Sequence, residues 1–84
     1  MHDEFHISGL VVQALPSKTQ LVQDAIARLP GAEVNAVTIE GRIVVTLETT
    51  SEAEFPMRFA EIEHLPGVVS VMLIFHQVEP AGSG

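Results

Sequence analysis

Two similar stretches decide the fold of this chain: "LPGAEVNAV" at residues 29–37 and "LPGVVSVML" at residues 65–73. In each, proline disfavours helical backbone in the leucine before it, and glycine accepts the left-handed conformation in which helices commonly end. Residues rich in valine follow, as is typical of a strand. The chain is therefore predicted to pass from helix to strand in the same way twice.

An amphipathic helix is predicted before the first of these turns. Apolar residues recur there at helical spacing, at Leu21, Val22, Ala25, Ile26 and Leu29. Ser17 and Gln20 have the spacing of a capping box, in which two side chains satisfy free backbone N–H groups at a helix start. The first helix is expected to begin at this pair and to end at the first Leu-Pro-Gly.

A second helix is predicted before the second turn, with Phe55, Phe59, Ile62 and Leu65 on one face. Ser51 and Glu54 form a second potential capping box. Pro56 complicates this start, because a proline in the second turn removes a hydrogen bond and kinks the helix. A start with Pro56 at the first helical position is the alternative.

Four strands are predicted around these helices: "FHISGLVVQA" (5–14), "AEVNAVT" (32–38), "RIVVTLE" (42–48) and "VVSVMLIFH" (68–76). Gly41 supplies the positive φ that a hairpin loop between the middle two requires. The order βαββαβ predicts an α+β, ferredoxin-like fold: a four-stranded antiparallel sheet of order 4-1-3-2 with both helices on one face. We expect one domain, residues 1–79, and a flexible tail, residues 80–84.

Composition limits the functions that the chain can have. The 84 residues contain no cysteine and carry a net charge of −7, from 4 basic and 11 acidic residues. An acidic surface repels phosphate backbones and anionic lipids, so a basic partner is favoured over nucleic acid or membrane. No apolar run reaches the ~20 residues of a membrane span, and the N-terminus lacks a secretory signal pattern. A soluble cytoplasmic protein is expected.

Because both helices lie on one side of the predicted sheet, the other side, the open face, is exposed. Strand alternation assigns three sets of residues to the covered face: Ser8, Leu10 and Val12; Ile43, Val45 and Leu47; and Val69, Val71, Leu73 and Phe75. The open face then receives Ile7, Gly9, Val11, Gln13, Val44, Thr46, Ser70, Met72, Ile74 and His76. So apolar a surface indicates an interaction site, with adaptable Met72 and close approach at Gly9. Self-association through this face, or a register error of one residue, are the alternatives.

The sequence offers no convincing catalytic, metal or cofactor site. Of the four histidines, only His2 and His6 have a spacing close to that of metal ligands, and they lie near the N-terminus. His76 has no neighbouring nucleophile or acid that would form a catalytic set. "GLVVQA" is similar to the substrate loop of acylphosphatases, but the phosphate-binding arginine of that family has no counterpart after Gln13. A protein without enzymatic activity, metal or cofactor is predicted.

Three segments resemble the NapD family over nearly the whole chain: "MHDEFHISGLVVQA", "LPGAEVNAV" and "LPGVVSVMLIFHQVE". The triplet Phe75, His76 and Gln77 downstream of "SGLVVQA" is the most specific combination. NapD proteins are cytoplasmic chaperones of the catalytic subunit of periplasmic nitrate reductase. The resemblance implies a ferredoxin-like fold and binding of a twin-arginine (Tat) signal peptide, which holds back export until the cofactors are inserted.

Such a peptide combines two arginines with an apolar segment, which matches an apolar face flanked by carboxylates. Glu48, on the open-face side of the third strand, is the first candidate to meet an arginine. The peptide could lie on the open face as a helix or extend the sheet at an edge, with the second strand as the more accessible edge. A monomer or weak homodimer is expected. The alternative function is a small-molecule-sensing regulatory domain that acts as an oligomer.

Overall fold

A computed structural model describes residues 4–80, and residues 1–3 and 81–84 lie outside the described part of the chain. The elements are β1 (Glu4–Ala14), a 3-10 turn (Pro16–Lys18), α1 (Thr19–Ala27), β2 (Ala32–Val37), β3 (Arg42–Thr49), α2 (Glu54–Glu63) and β4 (Val68–Pro80). The predicted element order is confirmed. The last strand runs to Pro80, and the remainder of the predicted tail falls on residues that are not described.

The four strands form one antiparallel sheet in the order β2-β3-β1-β4, which confirms the predicted ferredoxin-like topology. α1 packs over β2 and β3, and α2 packs over β4. Alternate residues of the central strands meet the helices in a core of fully buried aliphatic side chains: Leu10, Val12, Ala14, Val22, Ile26, Ile43, Val45, Leu47 and Ile62. Within residues 4–80, neither helix is long and apolar enough to cross a lipid bilayer.

The two Leu-Pro-Gly triplets form equivalent turns. Leu29 accepts a hydrogen bond from the N–H of Ala32 at 3.2 Å, and Leu65 accepts one from Val68 at 3.1 Å. The glycines have φ of 80° at Gly31 and 96° at Gly67, a backbone conformation that other residues adopt only with strain. The repeated sequence is therefore a repeated helix stop.

The start of α1 differs from the prediction. Residues 16–18 form a 3-10 turn, so Ser17 lies inside that turn and no side chain caps the first residues of α1. Gln20 instead donates a hydrogen bond to Asp24, one turn further along the helix, at 2.9 Å. The predicted Ser17–Gln20 capping box is wrong, because Pro16 directs the chain into the tighter turn first.

The start of α2 lies between the two predicted alternatives. Glu54 is the first helical residue, and its N–H donates to the Ser51 hydroxyl at 3.2 Å, as in a capping box. The Glu54 carboxylate, however, accepts the N–H of Thr50 at 2.9 Å. Pro56 therefore occupies the third helical position, within the first turn, where its missing N–H has no intrahelical partner to lose. The reason for expecting a kink, a proline in the second turn, therefore does not apply.

Two β-bulges in β4 alter which residues face the helices. Leu10 pairs with Leu73 while Gly9 pairs with Phe75, so Ile74 is an extra residue. In the same way, pairing of Gln13 with Ser70 and of Ala14 with Val68 leaves Val69 without a partner position. Beyond each bulge the alternation reverses. The predictions that Val69 and Phe75 face the helices and that His76 faces outward are therefore wrong, and Val69 is 61% exposed.

Candidate functional site: the open face of the sheet

A row of apolar side chains crosses all four strands on the open face. Val11 in β1 lies opposite Val44 in β3 on one side and opposite Met72 in β4 on the other. Ala36 in β2 extends the row beyond Val44. The side chain of Met72 is 63% exposed and that of Val44 is 38% exposed. These four residues, the apolar row, form a hydrophobic strip that no described part of the chain covers.

An aromatic ring lies beside this row. Gly9 pairs with Phe75, and a methyl group at Gly9 would collide with the Phe75 ring. The missing side chain of Gly9 thus makes room for Phe75, which remains 46% exposed. Close approach at Gly9 was expected to serve a partner, but the protein's own ring occupies that space. The effect is to place an exposed aromatic ring next to the apolar row.

Carboxylates gather toward one end of the open face. Glu48 lies opposite Ile7, Glu33 lies opposite Thr46, and Glu79 lies opposite Phe5. At the other end, Arg42 in β3 lies opposite Gln13 in β1. In the described strands Arg42 is the single cation of this face. The open face therefore has an apolar middle, a negative end and one positive charge at the far end.

Most of the predicted site residues share this face in the structure. Strand pairing places nine of them there: Ile7, Gly9, Val11, Gln13, Val44, Thr46, Glu48, Ser70 and Met72. Ile74 is the extra residue of the bulge and is 55% exposed. The Gln13 amide turns to the hairpin that joins β2 and β3 and donates to the backbone carbonyl of Glu40 at 2.9 Å. This hydrogen bond connects the Gln13 side chain to the β2–β3 turn at the edge of the open face.

His76 is the predicted site residue that does not reach the open face. It pairs with buried Ser8, whose hydroxyl lies 2.8 Å from its Nδ1, and its Nε2 lies 3.3 Å from Nδ1 of buried His6. Its ring also packs edge-to-face with that of Phe55 in α2, with the ring centroids 5.3 Å apart. His76 therefore joins the last strand to β1 and α2 on the covered side, and its assignment to the open face is corrected.

The sequence prediction missed Phe75, Ala36 and Phe5 on the open face. The signal for Phe75 was Gly9, because glycine inside a strand often marks a bulge or a close contact. No face was assigned to the second strand, in which Asn35 is an extra residue between the pairings of Val34 and Ala36 with β3. Bulges of this kind leave little trace in a pattern of alternating residues.

No group of three or more acidic or histidine side chains suited to a metal ion occurs within residues 4–80. Nδ1 of His6 lies 3.3 Å from Nε2 of His76, and the Ser8 hydroxyl lies 2.8 Å from the other ring nitrogen of His76.

Comparisons with known proteins agree with this architecture. The model of the NapD protein family matches residues 5–80. Chaperone NapD of Paracoccus pantotrophus is 38% identical over 76 residues, covering 90% of this chain and 67% of that protein. Chaperone NapD of Escherichia coli K12 is 26% identical over 83 residues, covering 98% and 95%.

A solved structure extends this similarity to three dimensions. The solution structure of the E. coli Tat proofreading chaperone protein NapD matches with a TM-score of 0.84 at 26% identity, over 92% of this chain and 82% of that one. The family match spans every strand and both helices of the described fold. The chain therefore belongs to the NapD family.

Proposed function

We propose that this protein is a chaperone that binds the Tat signal peptide of the catalytic subunit of periplasmic nitrate reductase on its open face. Binding takes place in the cytoplasm and holds back export until the cofactors are inserted. The observation that carries the proposal is the exposed apolar row, with carboxylates on one side of it along the strands. The relatives named as chaperones, and the proofreading role of the E. coli protein, support it.

The chemistry of a Tat signal peptide matches the two parts of this face. Its apolar segment suits the row through Val11, Val44 and Met72, and its paired arginines suit the negative end at Glu33, Glu48 and Glu79. Four strands about 4.8 Å apart give the row a length of about 14 Å, which equals nine or ten residues of helix at about 1.5 Å each. An amphipathic helix across the strands is the arrangement we favour.

The expected energies assign different roles to the two parts. Burial of four apolar side chains at about 1.5 to 3 kcal/mol each gives a gross gain of about 6 to 12 kcal/mol. Ordering the peptide costs about 2 to 5 kcal/mol, and association adds its own cost. Exposed arginine–carboxylate pairs contribute about 0 to 1 kcal/mol each. The apolar row therefore supplies affinity, and the carboxylates set the orientation of the peptide and the rate of encounter.

In this proposal the protein has no catalytic activity of its own and acts as a monomer or weak homodimer. Phe75 and Met72 leave the open face apolar enough for a second copy, but each copy brings a net charge of −7, which opposes close association. The second candidate, an oligomeric small-molecule sensor, requires a stable sheet-to-sheet assembly.

Isothermal titration calorimetry with the reductase's Tat signal peptide tests the proposal. We expect saturable binding at micromolar concentration or below, and weaker binding of a peptide in which both arginines are replaced by glutamine. Light scattering on the same sample measures the oligomeric state. Absence of heat, and of competition against a labelled peptide, at micromolar concentration contradicts the proposal. A stable dimer without peptide affinity favours the sensor.

A further inference from the structure

A second apolar site lies on the covered side of the molecule, away from the open face. α2 and the inner side of β4 form a shallow, open pocket of about 240 Å³. It is lined by Phe55, Pro56, Phe59, Ala60, Glu63 and Leu73. We call it the α2–β4 pocket. Its volume accepts one large apolar side chain, and Glu63 is the only charged group of its lining.

The pocket opens beside a free sheet edge. β4 is the last strand in the sheet order, so the side of β4 away from β1 has no strand partner within the described chain. Between the bulges at Val69 and Ile74, residues 70–73 keep regular strand pairing with β1. Leu73 belongs to this regular segment and also lines the pocket. A strand added at this edge would place one side chain about 5 Å from Leu73, on the same face and at the pocket mouth.

The charge around the pocket selects the partner. Glu63 makes no ion pair with any residue in the described range, whereas Arg58 on the same helix is already engaged by Glu54 at 3.5 Å and Glu61 at 2.9 Å. The net charge of −7 makes a second copy of this chain a poor occupant. The Glu63 carboxylate attracts a basic segment and repels an acidic one, so a basic partner should bind more tightly.

We propose that the α2–β4 pocket is a second docking site, which takes an extended segment of a partner polypeptide by strand addition to residues 70–73. The segment carries a bulky apolar side chain that enters the pocket and a lysine or arginine two positions away that meets Glu63. Main-chain hydrogen bonds along β4 supply affinity, and the pocket supplies selectivity. The pocket lies on the opposite side of the sheet from the side chains of the apolar row, and the added strand runs beside the β4 end of that row, at Met72.

NMR titration of the ¹⁵N-labelled protein tests this inference. The probe is a blocked heptapeptide in which threonine alternates with arginine, phenylalanine and arginine, so that the three side chains share one face of a strand. A matched probe has glutamate in place of both arginines. We expect saturable shifts of the amides of Leu73, Phe59 and Glu63, with a dissociation constant on the order of 1 mM. The basic probe should bind about two- to fivefold more tightly than the acidic one.

Three variants make the test specific. Glu63→Lys should reverse the preference between the probes, and Glu40→Lys, which makes the same charge change in the β2–β3 turn, should leave the preference for the basic probe in place. Ala60→Leu, which fills the pocket, should weaken both probes. The inference is overturned if the shifts are confined to open-face residues such as Val11 and Val44, if neither probe saturates at the amides of Leu73, Phe59 and Glu63, or if Glu63→Lys leaves the preference unchanged. Calorimetry with the signal peptide reports on the open face independently.

Discussion

The two faces of the sheet are made by neighbouring residues of the same strands, yet they differ in burial. In β3, Ile43 and Val45 are fully buried beneath the helices, whereas Val44 between them is 38% exposed on the open face. Both faces have aliphatic middles, but only one has helices over it. The fully buried apolar residues of the covered face form the core, while Val44 and Met72 on the open face remain exposed.

β4 shows how few residues separate the two faces. A single extra residue at Ile74 moves Phe75 to the open face and His76 to the covered face. The exchange suits both side chains, because Phe75 lies against Gly9 and His76 reaches Ser8. Face assignment in this sheet therefore depends on where the bulges are as well as on alternation.

The largest expected difference between the faces lies between Leu10 and Val11, which are adjacent in β1. Leu10→Ala removes a fully buried side chain and should lower the free energy of unfolding by about 2 to 5 kcal/mol. Val11→Ala should lower it by less than about 1 kcal/mol, since this side chain is partly exposed. Chemical denaturation followed by circular dichroism measures both. Equal losses would mean that the open face is also part of the core.

For binding of the signal peptide, in contrast to stability, the residues of the open face should matter most. Met72→Glu or Val11→Glu places a charge in the middle of the apolar row and should weaken binding of the Tat signal peptide about tenfold or more, while the fold is retained. Leu21→Glu is the matched control, since it adds the same charge at an exposed position of α1. Calorimetry compares the three variants. If both open-face variants bind like the wild type, the peptide does not use the apolar row.

The sequence was sufficient to predict the element order, the sheet order and both Leu-Pro-Gly turns. Helix periodicity, strand alternation and glycine at turns are all local patterns. It was also sufficient to place Val11, Val44 and Met72 on one face. It failed at Phe75 and His76, since a bulge is decided by pairing with another strand and by the space above Gly9. It failed at Ser17 for a different reason, because Pro16 favoured a 3-10 turn over a side-chain cap.

Gly9 and Phe75 are in contact on the open face. Changing this contact should lower the stability of the protein by an intermediate amount. Gly9→Ala forces the Phe75 ring to move, which should cost about 1 to 3 kcal/mol of stability. The second change Phe75→Leu should restore part of this loss, since a smaller side chain leaves room for the added methyl group. A double-mutant cycle of unfolding free energies measures the coupling. Strictly additive losses would indicate that the ring does not rest on Gly9.

The smallest expected effect concerns Glu54 on α2, remote from the open face. The N–H of Thr50 donates to its carboxylate, the Thr50 hydroxyl donates a second bond, and Arg58 lies beside it, so the pKa of Glu54 is lowered in the folded protein. A carboxylate with a lowered folded pKa stabilises the fold above its unfolded pKa, and this contribution disappears as the pH falls through the folded pKa. Glu54→Gln should therefore be slightly less stable than wild type at neutral pH.

That difference should shrink in the acid range, where wild-type Glu54 also becomes neutral. Thermal unfolding at a series of pH values measures it, and Glu40→Gln in the exposed β2–β3 turn controls for the change in net charge. Signal-peptide affinity at neutral pH should be the same for Glu54→Gln and wild type, because Glu54 lies on the helix side of the sheet. A pH-independent gap in stability would show that the Glu54 side chain acts through packing instead of charge. A loss of affinity would show that the covered side takes part in binding the signal peptide, which would remove the division of labour between the two faces.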